Sequence, residues 1–255
     1  MIIGTSSHIF SLGELKFFNK YILIESNRQR KICSCGKVFA KCQFWNCIYS
    51  FFLEQKKSIA SKLFRKDNIS QLIFSYLEGK NYKYYTDSSK DPINLFNYIL
   101  KKRYNLIVIH LVRDIRGYVY SHSKTVRKPK NLKYKSITRA AIEWILINYL
   151  IIGIIKLTKT PHILISYEKF CNNPVSFIHL LNNRFRMKIP ENFIESLNQS
   201  NFHLLEGNNI RFKIPKNIQY DNRWQLYGSY NNKFFKYFII PFSNRLVNLY
   251  SKIDN

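Results

Sequence analysis

Two short segments of this 255-residue chain concentrate residue types that hold and transfer anionic groups. The first, Asp87-Ser88-Ser89-Lys90-Asp91-Pro92, sets two hydroxyls and an ammonium beside a proline suited to the first turn of a helix. Ser88 and Ser89 can donate hydrogen bonds, the helix start adds free backbone N–H groups, and Lys90 supplies a compact positive charge; together these describe an oxyanion site. Asp and Ser are also ordinary helix caps, which accounts for the same residues without a ligand. The second segment is Arg113-Asp114-Ile115-Arg116-Gly117, with Ser121 following. At 3.6 residues per turn, Ser121 returns to the face of Gly117, so an Arg fork and a hydroxyl converge on one phosphate, with Asp114 free to orient Arg113 or Arg116. A plain ion pair at a loop is the alternative.

A third group is Cys33, Cys35, Cys42 and Cys47. Its spacing is not a C-x-x-C pair of pairs, so it reads as packed free thiols, with zinc as the alternative. The histidines show no ligand spacing such as His-x-x-x-His, and no residue is assigned to a metal. Cys171 and His110 read as core residues, the histidine inside a buried strand with its polar atoms satisfied.

These residues need elements to carry them. Residues 82–86 are β-prone, and 105–112 (NLIVIHLV) form a nearly unbroken apolar run, as expected of a strand buried on both faces of a parallel sheet. Between them Pro92 opens a helical stretch over 92–102, long enough for a crossover, which predicts a strand–helix–strand unit over 82–112. A further strand is predicted over 162–166, after a long helix over 137–157, and a helix begins near Gly117. The alternation predicts an α/β fold, a parallel sheet with helices on both faces. Ligands then gather at the carboxyl ends of the strands, where both anion-type segments lie.

Composition narrows the classes. With 46% hydrophobic residues, 8 Gly and 7 Pro, the chain is neither disordered nor low in complexity. A single domain over 1–255 is the simplest organisation, because no repeat or linker divides it. The formal net charge is +26, from 41 Lys+Arg against 15 Asp+Glu. That field concentrates anionic partners without choosing among them. Lys and Arg are spread along the chain with no recognised nucleic-acid module, so no nucleic-acid partner is expected. The apolar run 144–155 falls short of the roughly 20 residues of a membrane span and reads as a buried helix. No secretory signal is visible, and the odd cysteine count is unlike a secreted disulfide framework, so a cytoplasmic location is expected. Oligomeric state is not legible.

Together the Asp87 to Pro92 string and Leu111-Val112-Arg113-Asp114-Ile115-Arg116-Gly117 with Ser121 resemble the sulfotransferases that use 3′-phosphoadenosine-5′-phosphosulfate (PAPS). Further blocks are similar in family order across nearly the whole chain. They are Leu12-Gly13-Glu14-Leu15, then Cys33-Ser34-Cys35-Gly36 with Cys42 and Phe44-Trp45, then Tyr167-Glu168 with Asn173-Pro174, and Gly207-Asn208 with Arg211. The resemblance implies a P-loop-NTPase-like sulfotransferase fold and PAPS as the sulfate donor, with a hydroxyl or amine of a glycan, lipid or small metabolite as acceptor. It implies that Arg113 and Ser121 grip the 3′-phosphate, with Ser88 and Ser89 also on the cofactor side. Asn208 and Arg211 would belong to a loop closing over the nucleotide. Lys90 would be the charge stabiliser and Glu14 the proton acceptor, where other branches use a His.

The departure from the family lies at the start. Relatives open with a strand and an Arg-Ser-Gly-Ser/Thr loop that cradles the 5′-phosphosulfate, whereas this chain opens with Met1-Ile2-Ile3-Gly4. Gly4-Thr5-Ser6-Ser7 has no basic residue and no preceding strand. The expectation is a domain N-terminally truncated relative to the family, lacking its central strand and slow or inactive in transfer. A noncatalytic anion- or nucleotide-binding protein is the alternative.

Overall fold

A computed structural model describes residues 1–58, 69–123, 137–207, 211–213, 216–226 and 235–251. The helices are α1 Asn19–Leu23, α2 Glu25–Arg30, α3 Gln43–Ser58, α4 Ile69–Glu78, α5 Pro92–Lys101, α6 Ile115–Ser123, α7 Ile137–Thr158, α8 Tyr167–Asn172, α9 Pro174–Phe185, α10 Phe193–Gln199 and α11 Ile240–Ser251. Among the described residues four short strands accompany them, β1 Ile9–Ser11, β2 Tyr84–Thr86, β3 Val108–Val112 and β4 His162–Ser166. The fold class is α/β, dominated by helix, and the chain divides into two compact units. One comprises Met1–Lys90 with Phe177–Asn217, the other Asp91–Ser176 with Ile218–Asn255.

In the first unit β1 pairs in parallel with β2, Ile9 opposite Tyr84 and Ser11 opposite Thr86. The core beside this ladder is aromatic. Phe18, Phe39 and Trp45 are all buried, with the Phe18 and Trp45 rings 4.8 Å apart. Trp45, Ile48 and Phe52 recur at helical spacing on α3, and Ile73 and Leu77 do the same on α4, so each helix turns one apolar stripe inward.

In the second unit β3 and β4 run parallel in unbroken register from Val108↔His162 to Val112↔Ser166. Val112, Ile115, Val119, Ala140, Ala141, Trp144 and Ile152 form its core with Phe235, Ile239 and Leu246. The 22-residue α7 is the one described helix long and apolar enough to cross a membrane, with a mean hydropathy of 1.8 over its best window and 39% of that window buried. It is longer than the apolar run that marked it in the sequence. Small Ala140 and Ala141 beside Trp144 supply the face that joins this core, while Ile142, Leu146, Leu150 and Leu157 are exposed.

Two expectations are corrected. The strands expected to sit in one sheet on either side of α5 belong to different ladders, β2 with β1 and β3 with β4. Strand β3 is also not buried on both faces. Leu111 is 48% exposed, and among the described residues β3 has one hydrogen-bonded neighbour, so an apolar run that suited a central strand forms half of a two-stranded ladder with one face open at Leu111.

Candidate functional site

In the second unit the carboxyl ends of β3 and β4 lie side by side, because the register ends with Val112 opposite Ser166. The loop leaving β3 is held from two sides. Trp144 Nε1–H donates to the Arg113 carbonyl at 3.1 Å. Glu168 Oε1 accepts the Asp114 N–H at 3.0 Å, and its Oε2 accepts the Ser166 hydroxyl at 2.7 Å. The Tyr167-Glu168 block thus braces the Arg113 loop.

The Arg113 side chain turns back over the first turn of α6. A Cβ placed on Gly117 would lie 2.6 Å from Arg113 Nε and 3.1 Å from its Cζ, so the absence of a side chain there admits the guanidinium. Arg113 Nη2 donates to the Asp221 carbonyl at 2.9 Å and stands 3.4 Å from the Asp221 carboxylate. Its Cζ lies 4.9 Å from the centre of the Tyr167 ring. Nε is buried and has no hydrogen-bond partner. Asp221 also takes two bonds from Arg223, at 2.6 and 2.8 Å. Those bonds hold its carboxyl well below the usual carboxylate range against the opposing effect of burial, with the charges of Arg223 and Arg113 adding to them.

The second loop settles which arginine Asp114 orients. It binds Arg116 at 2.6 Å, and Arg116 lies over the Trp224 ring at 4.3 Å. Ser121 stands one turn beyond Gly117 on the same helix, exposed, its hydroxyl donating to the Tyr118 carbonyl at 2.8 Å. The helix starts at Ile115, two residues before the expected position.

In the first unit the Asp87 segment binds its neighbour. The Asp87 carboxylate accepts the Leu15 N–H at 3.2 Å and the Ser89 N–H at 2.9 Å, and also takes the Ser89 hydroxyl hydrogen. Ser89 is buried, and its oxygen accepts the Lys16 N–H at 3.0 Å. Ser88 is exposed, and its N–H donates to the Gly13 carbonyl at 2.7 Å. The free N–H groups expected at the start of α5 are occupied, because the Asp91 side chain accepts from Ile93 and Asn94 while Pro92 has no N–H.

Lys90 has a left-handed backbone, with φ of 53°, and its ammonium lies 3.3 Å from the Glu14 carboxylate. Nearby charges extend this pair. Glu206 binds Lys31 at 2.9 Å and Lys20 at 3.1 Å, and accepts the Tyr21 hydroxyl hydrogen. Lys31 is pushed down to about 8, mainly by burial, then by the charges of Arg211 and Lys20, with Glu14 acting in the opposite sense. Arg211 donates from Nη1 to the Gly207 carbonyl at 2.8 Å and leaves a buried Nε unpaired. Asn208 lies outside the described residues.

The structure thus brings Glu14, Lys90, Ser88 and Ser89 to one corner of the first unit, and in the second it lays Arg113 against Gly117, with Ser121 one turn further along α6. Sequence reasoning missed Asp221, Lys31 and Glu206. Asp221 meets Arg113 across 108 positions, and no local spacing announces such a pair. Comparison with family models, with curated proteins and with solved structures finds no match for this chain.

Proposed function

We propose that the chain is a sulfotransferase-type protein that binds the 3′-phosphate of PAPS or its product through Arg113 and Ser121. The observation that carries the reading is the Arg113 guanidinium laid across Gly117, one helical turn from the Ser121 hydroxyl, with Nε unpaired. An anion there would take the Arg113 fork and the Ser121 hydroxyl from the Asp221 and Tyr118 carbonyls they now serve, at the carboxyl end of a parallel strand, where α/β folds bind ligands. A 3′-phosphate, at about −1.5 to −2 charges, suits that set. The finer fold expectation, a P-loop-NTPase-like sulfotransferase sheet, belongs to this proposal, as do Ser88, Ser89, Asn208 and Arg211 on the nucleotide.

In transfer, the acceptor hydroxyl or amine attacks sulfur in line, loses its proton to a base, and the sulfuryl group leaves the nucleotide phosphate with its charge stabilised. Glu14 is the proposed base and Lys90 the stabiliser. A second reading, nucleotide binding without transfer, is supported by the contact between those two groups, each of which occupies the other.

Calorimetric titration tests the proposal. The chain binds 3′-phosphoadenosine-5′-phosphate more tightly than adenosine-5′-phosphate, and Arg113→Ala removes most of that preference, since losing one charge-assisted partner costs about 1.5–3 kcal/mol, roughly ten- to a hundredfold. Equal affinity for the two nucleotides overturns it. Transfer of labelled sulfate from PAPS separates the two readings, because Lys90→Ala and Glu14→Gln lower turnover only in an enzyme.

A further inference from the structure

Three of the five cysteines converge in the first unit on a histidine that the sequence places far away. Cys33 and Cys42 are fully buried, Cys35 is exposed, and His203 is half-buried. The Cys35 and Cys42 sulfurs are 3.7 Å apart, and His203 Nδ1 lies 3.3 Å from the Cys42 sulfur and 3.8 Å from that of Cys33. All four donor atoms fall within 4.8 Å of one another. A tetrahedron with zinc–sulfur bonds of about 2.3 Å and a zinc–nitrogen bond of about 2.0–2.1 Å has edges of about 3.8 Å between sulfurs and about 3.6 Å from sulfur to nitrogen. The three distances of 3.3, 3.7 and 3.8 Å lie close to those edges, and the other three are no longer than 4.8 Å. The Cys35–Cys42 separation is too long for a disulfide, whose sulfurs are about 2.05 Å apart.

The surrounding backbone holds the cluster in place. Ile32 and Val38 pair across a tight turn in which the Gly36 N–H donates to the Cys33 carbonyl at 2.9 Å, and Gly36 has the positive φ, 83°, that glycine takes without strain. Ser34, between the first two cysteines, holds the segment that carries the histidine. Its N–H donates to the Leu204 carbonyl at 2.9 Å, its hydroxyl to the Phe202 carbonyl at 2.5 Å, and the Leu204 N–H returns a bond to the hydroxyl at 2.8 Å. Phe44 stacks on the imidazole, with centroids 5.2 Å apart and planes 18° apart, fixing the ring with Nδ1 toward the thiols.

We propose that Cys33, Cys35, Cys42 and His203 form a Cys3His site that binds one zinc ion in a closed, structural, tetrahedral geometry. Three thiolates and an imidazole are a borderline-soft donor set suited to zinc, and four protein ligands leave no open position for substrate. On binding, the three thiols release three protons, the neutral imidazole contributes its lone pair, and no electron is transferred. The metal clamps residues 33–42 to the segment around His203, which continues into Glu206 and its contacts with Lys31, Lys20 and Tyr21. This site stands independently of the proposed sulfotransferase reading. It overrides the preference for packed free thiols, because the missing ligand lies 161 residues beyond Cys42.

The test uses the full chain, purified under reducing conditions, stripped of metal and titrated with Co(II) and then Zn(II). The expected result is one Co(II) per chain with the intense visible bands of a tetrahedral centre and a thiolate-to-metal charge-transfer band, displaced stoichiometrically by Zn(II). Cys35→Ser, at an exposed position, and His203→Ala each weaken Co(II) binding at least tenfold and change the spectrum, while Cys47→Ser and Cys171→Ser leave both unchanged. Circular dichroism of each variant shows that the comparison is made on folded protein. An octahedral spectrum, a spectrum unaltered in both ligand variants, or a reduced chain that takes up no Co(II) overturns the proposal. So does a Cys35–Cys42 disulfide that persists in the presence of reductant.

Discussion

Gly117 and Arg113 make the sharpest residue-scale test, because binding should fall much further than stability. Alanine is favoured over glycine by about 1 kcal/mol in a helix, which offsets part of what the displaced Arg113 contacts to Asp221 and Tyr167 supply, so Gly117→Ala should change the melting temperature little. The new methyl would stand where Arg113 Nε now lies, and the guanidinium, at the end of a flexible side chain, would have to move. Affinity for 3′-phosphoadenosine-5′-phosphate should then fall about as far as in Arg113→Ala. If titration shows Gly117→Ala binding like the unmodified chain, the position of Arg113 is irrelevant to the ligand. Ser121→Ala should cost less than Arg113→Ala, since a neutral donor binds an anion more weakly than a guanidinium fork, and comparing the two affinities checks the order.

At the scale of elements, β3 and α7 are tied by a buried polar contact with a pH signature. His110 Nε2 lies 3.0 Å from Asn148 Oδ1, and the Asn148 amide donates to the Trp144 carbonyl at 2.6 Å. Burial pushes His110 from 6.5 down to about 4, with the Asn148 contact opposing that shift. The folded chain therefore holds this proton less readily than the unfolded one. The contribution is fully present above about 6.5, is lost as pH falls toward about 4, and amounts to about 3 kcal/mol. Denaturant titrations at neutral pH and at pH near 4.5 should show a smaller loss in His110→Gln than in the unmodified chain. Equal losses would mean that His110 titrates normally. The start of α5 supplies a second check: Asp91→Ala removes both capping bonds and should lower stability by about 1 kcal/mol in the same assay.

The same elements mark what the sequence made legible. Strand β4 has its expected bounds, and α5 and α7 end within one residue of theirs, because Pro92 with Asp91 and the apolar periodicity of α7 are local signals. Three-residue β1 was missed, since Ile9-Phe10-Ser11 is too short to show alternation. Strand pairing was misread for another reason: which strands share hydrogen bonds depends on partners 50 to 75 positions away, such as Val108 with His162 or Ile9 with Tyr84. For the candidate site, the Arg113 loop and Ser121 were legible as strand end and helix face. Asp221 and His203 were not, because each reaches its partner only through the finished fold.

Taken as a whole, the chain carries +26 charges, yet its acidic residues are placed to organise the basic ones: Glu206 between Lys20 and Lys31, Asp221 between Arg113 and Arg223, Glu14 against Lys90. These pairs are partly exposed, so as ion pairs they stabilise little. A nucleotide held mainly by such a field binds less tightly as salt rises, because the Debye length shrinks from about 10 Å at 0.1 M to about 3 Å at 1 M. Calorimetry over that range should show affinity for 3′-phosphoadenosine-5′-phosphate declining steadily, whereas salt-independent affinity would point to an uncharged mode of recognition.

The hydrogen bonds from Ser34 to residues 202 and 204 also order events in time. Ser34 leaves the ribosome nearly 170 residues before its partners, and the whole of Asp91–Ser176 is synthesised in between. Met1–Lys90 must wait for Phe177–Asn217 before its own interior closes, and closing so long a loop is a slow, late step in folding. The nascent chain meanwhile presents Cys33, Cys35 and Cys42 close together with no histidine to cap them, a stage at which oxidation could join two of them. Ribosome-arrested chains that end before Phe177 should therefore react fast with thiol-directed reagents at these cysteines, and chains released past Asn217 should be protected at the buried Cys33 and Cys42.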